Sequence, residues 1–188
     1  VETESPELAE MRADFRRLME QADTRDERED PQGQESLLIR ALDLAAQSPE
    51  PDDDLEALER ILHLAERVRI SSEAVRRCTA AVEMLVARGH RTSNVVRCLT
   101  ALSPLVTQND LMMELGDTLV TTGSRLMEAD LDDDAMLALK TTVARAWLGL
   151  GRRDQARQLL LEVQNQSLSP VDRLKVAIME ADTMEEQK

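Results

Sequence analysis

Apolar residues recur along this chain at the three- and four-residue spacing of amphipathic helices, and capping residues separate one apolar stripe from the next. The first stripe follows Ser5-Pro6-Glu7, a typical helix start. A charged segment over residues 24–34 contains Pro31 and Gly33 and is predicted to be a loop, with a second helix at about residues 35–47. Because no segment alternates apolar and polar residues between turn signals, no strand is predicted. The sequence predicts an all-α fold.

Further along the chain the helix starts become regular. Helices are predicted to begin at caps spaced by about 40 residues: Asp54, Ser93, Asp133 and Ser169. Between the first two of these, a further helix is predicted to begin at Ser71 or Ser72. The helix from Ser93 is predicted to stop before Pro104, and residues 107–110 are predicted to begin the next one. A constant period of this length is typical of an α-solenoid, and the alternative is a non-repeating helical bundle. We predict about nine helices, with N-terminal helices and an acidic loop over residues 1–53 and a repeat array over 54–188, or alternatively one continuous domain.

Residues 133–170 have the most specific spacing in the chain. Two small residues, Ala144 and Ala156, stand where paired helices would approach each other, and Gly151 stands at the turn between them. The large residues expected to pack around them are Val143, Trp147 and Leu160, and Pro170 follows the pair. This stretch resembles one repeat of the tetratricopeptide family. The resemblance implies an α-solenoid of antiparallel helix pairs, and it implies that the protein binds other proteins.

The resemblance also implies where a partner would bind. The first helices of successive pairs usually line the binding face of a solenoid. In the best-matched repeat, the residues beside the packing positions are Ala138, Thr141, Arg145 and Leu148. We predict that they contact a peptide or protein partner, and that the protein is a non-enzymatic scaffold or adaptor. The alternative is a regulatory helical-repeat domain of a larger signalling or transcriptional protein, since a chain that starts at Val1 without an initiator Met suggests a fragment.

The balance of charge narrows the class of partner. The chain holds 37 Asp and Glu against 23 Lys and Arg, a formal net charge of −14, which argues against nucleic acid and membrane surfaces. One Phe, one Trp and no Tyr also weaken any interpretation that needs base stacking. Residues 57–100 are nonetheless rich in arginine, and the candidate contacts for an acidic partner are Arg76, Arg77, Arg88 and Arg91. The alternative, which we favour, is that these arginines neutralise the chain's own acidic N-terminal part.

No arrangement of residues points to catalysis, a cofactor or a metal. Asp130, Asp132 and Asp134 alternate like the start of an EF-hand loop, but Ala135 and Thr141 replace the Gly and Glu that calcium binding needs. Residues of the kinds that bind zinc occur singly rather than in close pairs: His63, Cys78, His90 and Cys98. The Gly149-Leu150-Gly151 segment fits a helix turn better than a phosphate-binding loop. We expect no enzymatic activity, cofactor or metal.

The cysteines and the apolar segments of the chain bear on its location and on self-association. Two cysteines within helical patterns are expected to be buried and reduced, and neither a leader nor a membrane-length apolar run is recognisable, so we expect a cytoplasmic protein. The C-terminal helix carries an apolar stripe of Val171, Leu174, Ile178 and Ala181, which Val176, Ala177 and Met179 extend round the helix. This stripe is interpreted as the surface that closes the preceding helix pair, or else as a docking surface for a second copy or for a further segment of a longer protein. The first interpretation is favoured.

Overall fold

A computed structural model of the chain describes residues 5–25, 30–48, 50–164 and 168–184. Over these ranges nine α-helices follow one another and no strand occurs. They are α1 (Pro6–Asp23), α2 (Pro31–Ala45), α3 (Pro51–Ala65), α4 (Ser72–Ala87), α5 (Ser93–Gln108), α6 (Met112–Leu126), α7 (Asp133–Gly149), α8 (Arg153–Gln164) and α9 (Pro170–Met184). The all-α class and the number of helices predicted from the sequence are confirmed.

Most helices are preceded by a polar residue whose side chain accepts a hydrogen bond from a backbone N–H of the first turn. Ser5 accepts from Leu8 N at 3.3 Å, and Ser71 accepts from Ala74 N at 3.1 Å. Thr92 caps α5 and Ser169 caps α9 in the same way. These four starts agree with the sequence to within a residue. The cap of α7 is Asp132, one residue before the predicted position, with Oδ1 2.7 Å from Ala135 N.

Two predicted starts in the N-terminal half are wrong. α2 begins at Pro31, inside the segment predicted as a loop, because Asp30 accepts a hydrogen bond from Gly33 N and Pro31 fills the first turn, where no N–H is needed. Residues 26–29 of the predicted loop lie outside the described ranges. α3 begins at Pro51, which likewise fills the first turn, although the preceding Glu50 makes no side-chain cap hydrogen bond. Asp54 therefore lies within the first turn of α3 and does not cap it.

The predictions around Pro104 are also wrong. α5 continues through this exposed proline to Gln108, although proline cannot make the helical hydrogen bond. Leu99, Leu102 and Val106 lie on one buried face on both sides of it, and this continuous packing favours the helix. Residues 107–110 therefore end α5 instead of starting α6.

The chain forms two compact units, Val1–His90 and Arg91–Lys188. In the first unit α2 packs against α1, α3 and α4. In the second unit α5 packs against α6 and α7, and α7 also packs against α6, α8 and α9. The predicted boundary before Asp54 falls inside the first unit, within the first turn of α3. The domain organisation itself stays a prediction.

Polar contacts between side chains about one repeat apart occur in both units. In the first unit they include Arg16 with Asp53 at 3.4 Å and Arg60 with Asp23 at 2.8 Å. In the second unit they include Arg91 with Glu128 at 3.0 Å. The two residues of each of these pairs are 37 positions apart in the sequence, which is close to the predicted repeat period.

The repeat at residues 133–170 packs as its spacing predicts. Ala144, Ala156 and Leu160 are fully buried in one apolar cluster, with Trp147 partly buried against it. The cluster is completed from α9 by Val176 and Met179. α9 thus closes the preceding pair, but not through the stripe favoured for that role. The prediction that this stripe closes the pair is wrong, because all four of its residues are exposed. They are Val171, Leu174, Ile178 and Ala181.

Candidate protein-binding groove

A groove follows one face of the second unit, where α5, α7 and α9 lie side by side. It consists of three clefts of about 410, 450 and 450 Å³. The first two share Thr100 and Ala138, and the last two share Arg145 and Met179, so the clefts are continuous. Most of its lining comes from α5, α7 and α9, and α6 contributes Met112 and Met113 at one end.

All four partner-contact residues predicted from the repeat line this groove. Ala138, Thr141 and Arg145 line the central cleft, and Leu148 lines the cleft at the C-terminal end of α7. Their spacing along one helix places them on one face. The Thr141 hydroxyl donates to the Leu137 and Ala138 carbonyls at 3.1 and 2.9 Å, so this side chain is held against its own helix.

Arg145 is the groove's most available cation. Its side chain is exposed, and it makes no hydrogen bond or ion pair with any residue that the structure describes. The other cation of the central cleft, Lys175, lies 3.7 Å from Asp172. An unpaired guanidinium can bind a carboxylate with two parallel hydrogen bonds. Arg145 can therefore bind an acidic group of a partner without first losing an internal ion pair.

The cleft beside Arg145 is rich in methionine. Met112, Met113 and Met179 line it together with Leu148, and Met113 is 80% exposed. The absence of a side chain at Gly149 makes room for Met112, whose Cγ lies only 2.7 Å from the position a Cβ would take. Methionine side chains adapt to different apolar shapes at protein-binding surfaces. This cleft suits one apolar side chain of a bound segment.

Carboxylates also line the groove, so its charge is mixed. Asp134 and Asp172 lie in the central cleft, and Asp110 and Asp182 lie in the methionine-rich cleft. A partner segment that carries only acidic residues would meet these carboxylates as well as Arg145. The groove therefore favours a segment with one acidic group placed at Arg145 over a uniformly acidic one.

The arginines proposed as a basic patch do not belong to this groove. Arg77 in the first unit lies 2.8 Å from Glu73 and 3.2 Å from Asp43, and Arg76 lies 4.0 Å from Glu73. The contact with Asp43 agrees with the interpretation that arginines of the middle segment neutralise the acidic N-terminal part.

The other two arginines are also engaged within the chain. Arg88 donates to the Ala46 carbonyl at 3.1 Å and the Ser48 carbonyl at 3.3 Å, so it holds the turn after α2. Arg91 belongs to the second unit and pairs with Glu128. Three of the four predicted arginines therefore belong to the first unit and one to the second.

Sequence reasoning missed the contributions of α6 and α9 to the groove. Met113, Met179 and Lys175 carry no local motif, and their place beside Arg145 depends on how the helices pack. One signal was present: Ser169 begins α9 at the same place in the period as Asp133 begins α7. A first helix of a further pair would be expected to extend the same face.

The residues considered for metal or nucleophilic chemistry have ordinary structural roles. Asp132 caps α7, and Cys78 and Cys98 are buried and not disulfide-bonded, as predicted. Within the described ranges, no group of three or more His, Cys, Asp or Glu residues is placed to hold a metal ion. Nor does any helix in those ranges have the length and apolar character needed to cross a membrane.

The fold defines the class of protein, an all-α helical-repeat protein. Comparison with known proteins gives no match to a family model, a curated protein or a solved structure.

Proposed function

We propose that this protein is a non-enzymatic interaction scaffold or adaptor that binds a protein segment in the groove of α5, α7 and α9. One observation carries the proposal: four residues chosen from the repeat spacing alone line one continuous groove, and the cation among them has no partner among the residues that the structure describes. The tetratricopeptide-like character of residues 133–170 supports the same role. A cytoplasmic location is part of the proposal and is supported by the two buried, unbridged cysteines.

The groove's chemistry indicates what the bound segment contains. A carboxylate opposite Arg145 forms a charge-assisted pair, and an apolar side chain enters the adjoining methionine-rich cleft. These two features lie side by side because Arg145 lines both clefts. We therefore propose a peptide or helix with an acidic residue near a large apolar one.

A charge-reversal experiment tests this function. Arg145→Glu is expected to abolish capture of the partner, because it places a carboxylate opposite the partner's own acidic group. The matched control is Arg157→Glu, which makes the same charge change at an exposed position of α8 outside the groove. Both variants should keep the melting temperature, since neither arginine is buried. Affinity purification with mass spectrometry would identify proteins retained by the control and lost by Arg145→Glu.

The identified segment then permits a direct check. Synthetic peptides from the partner should lose binding to the natural chain when their acidic residue is changed to Lys, and Arg145→Glu should recover binding of the Lys peptide. Equal capture by Arg145→Glu and Arg157→Glu would contradict a binding role for Arg145. Retention of all partners after substitutions throughout the groove would contradict the proposed function.

A further inference from the structure

Arg145 has a counterpart of opposite charge at the other end of the same groove. Asp134 lines both the central cleft and the cleft between α5 and α7. Its side chain is exposed and makes no hydrogen bond or ion pair with any residue that the structure describes. The two charges are eleven residues apart on α7, which is one continuous helix over Asp133–Gly149. Eleven residues complete three helical turns to within about 20°, so both side chains project from the same face, about 16 Å apart along the helix axis.

The groove near Asp134 is lined mostly by short apolar side chains. Ala135 and Ala138 of α7, with Ala101 of α5, line a cleft of about 410 Å³. The cation of this cleft is already engaged, because Arg97 donates to the Asn94 side chain at 2.6 Å. Short lining residues leave room for larger apolar side chains of a partner, whereas a charge placed among them would lose water without gaining a hydrogen bond. The middle of a bound segment is therefore apolar, and its charges lie towards its ends.

The spacing of the two charges selects the conformation of the bound segment. In an extended strand, 16 Å corresponds to about five residues, and residues five apart point to opposite sides because side chains alternate. A polyproline helix has three residues per turn and also places such residues on different sides. In an α-helix, residues eleven apart span this distance and share one face, as they do in α7 itself. A helical segment can therefore face both charges at once.

The order of the charges on α7 sets the direction of such a helix. Asp133 and Asp134 make the first turn of α7 negative, and Arg145 lies in its C-terminal part. A segment antiparallel to α7 brings its N-terminal end to Arg145 and its C-terminal end to Asp134. Its acidic residue is then near its own N-terminus and its basic residue near its own C-terminus, which is the arrangement that the helix dipole favours. A parallel segment would need the opposite, unfavourable arrangement.

We infer, resting on the proposed function, that the groove binds an amphipathic helix antiparallel to α7, with an acidic residue opposite Arg145 and a Lys or Arg eleven residues later opposite Asp134. The partner residues four and seven positions after the acid are apolar and lie against Thr141 and Ala138. The apolar residue for the methionine-rich cleft comes three positions before the acid, opposite Leu148. Anchors at spacings of three and four are the way in which an amphipathic helix occupies a groove.

Selection of displayed peptides tests the inference. A library of random peptides of about 18 residues is selected on the full 188-residue chain, and peptides that also bind Arg145→Glu are discarded. The retained peptides should carry an Asp or Glu followed eleven residues later by a Lys or Arg. Synthetic copies should gain helical circular dichroism when they bind the chain, since the spacing is matched to a helix.

Charge exchange at Asp134 tests the second contact. Asp134→Lys should weaken binding of the selected peptides by about tenfold, and changing the basic residue of the peptide to Glu should restore it, because the pair is re-formed with its signs exchanged. The matched control is Asp133→Lys, which makes the same charge change in the same turn of α7 at an exposed residue that does not line the three clefts. It should leave the dissociation constant nearly unchanged.

The outcomes separate this inference from the proposed function. Selected peptides that bind Asp134→Lys as well as they bind Asp133→Lys, or that gain no helix on binding, would overturn the antiparallel helix. Because those peptides still depend on Arg145, the proposed function would stand. Peptides with the basic residue before the acid would also overturn the inferred direction. A selection that yields no peptide dependent on Arg145 would contradict the inference and the proposed function together.

Discussion

A Cβ atom added to Gly123 in α6 would lie 2.4 Å from Cγ2 of Val143 in α7. The same position is only 3.6 Å from side-chain atoms of Leu139 and Leu99. Helices α6 and α7 approach this closely because residue 123 has no side chain. Val143 is 1% exposed and β-branched, and in a helix such a side chain has one strongly preferred rotamer.

Gly123→Ala is expected to lower the free energy of unfolding by up to about 2 kcal/mol. The added methyl group overpacks the α6–α7 contact by an amount that usually costs about 1–3 kcal/mol, which exceeds the roughly 1 kcal/mol that Ala gains over Gly in helix propensity. Urea unfolding would measure the difference.

The contact itself can be checked by a second substitution. Val143→Ala in the Gly123→Ala background should recover part of the loss, since it removes the atom that clashes. The control Ser124→Ala changes an exposed neighbour and should be neutral or slightly stabilising. A Gly123→Ala variant as stable as the original chain would contradict the close approach of α6 and α7.

Three helices end in the same way, with one residue in the left-handed conformation. Gly89, Asp110 and Gly151 have φ of +90°, +56° and +73° and follow α4, α5 and α7. At the end of α7, for example, Arg152 N donates to the Trp147 carbonyl at 2.8 Å and Gly151 N donates to the Leu148 carbonyl at 2.9 Å. This is the hydrogen-bond pattern of a Schellman motif, in which glycine is preferred because other residues are strained there.

Gly151→Ala should therefore destabilise the second unit by about 1 kcal/mol, although no atom lies within 4 Å of the added Cβ. Asp110→Gly should have the opposite effect, with a gain of up to about 1 kcal/mol, because it relieves a strained non-glycine residue. Thermal unfolding should show a lower melting temperature for Gly151→Ala and a higher one for Asp110→Gly. Equal effects of the two substitutions would argue against the left-handed conformation at these positions.

Pro104→Ala is expected to stabilise the chain by about 1 kcal/mol or more. Proline inside a helix costs about 3 kcal/mol relative to alanine because it removes the hydrogen bond to the residue four positions earlier. Its smaller freedom in the unfolded chain offsets part of this cost. Helical circular dichroism should rise slightly, and urea unfolding should measure the gain. A loss of stability would indicate that the helix stops before residue 104, as the sequence alone predicted.

The sequence predicted well what local chemistry decides. Caps such as Ser5 and Ser71, the glycine turn at Gly151 and the small residues Ala144 and Ala156 all have the roles expected of them. Each depends on residues within one or two turns, which are visible in the sequence. The predicted face of α7 follows from the same periodicity.

What the sequence did not predict depends on packing. Pro104 lies within a helix because the buried face of α5 continues past it, and no local rule contains that information. The stripe on α9 was assigned to the core because its residues recur at helical spacing, and the buried Val176 and Met179 were interpreted only as its extension round the helix. Which of two apolar faces is covered depends on the neighbouring helices. Met113 joins the groove for the same kind of reason.

Asp54, in the first turn of α3, has its carboxyl group buried inside the first unit. It is fully buried, and neither carboxylate oxygen has a hydrogen-bond partner among the described residues. This burial raises the pKa of Asp54 to about 6, against an opposing effect of nearby Arg88, while the neighbouring carboxylate of Asp53 adds to the rise. The first unit therefore binds a proton more tightly when folded than when unfolded.

The pH dependence of unfolding follows from this proton. The pKa of Asp54 is higher in the folded chain than its unfolded value of 3.8. The stability that the folded chain gains from protonated Asp54 is therefore fully present below pH 3.8 and is lost as the pH rises through about 6. Between pH 7 and pH 5 the free energy of unfolding should rise by about 1 kcal/mol from this group. Asp54→Asn cannot ionise and should lack this part of the rise, whereas Asp52→Asn, at an exposed position of the same turn, should keep it. Urea unfolding of the three chains at pH 5, 6 and 7 measures the difference, and parallel curves for all three would show that Asp54 does not bind the proton.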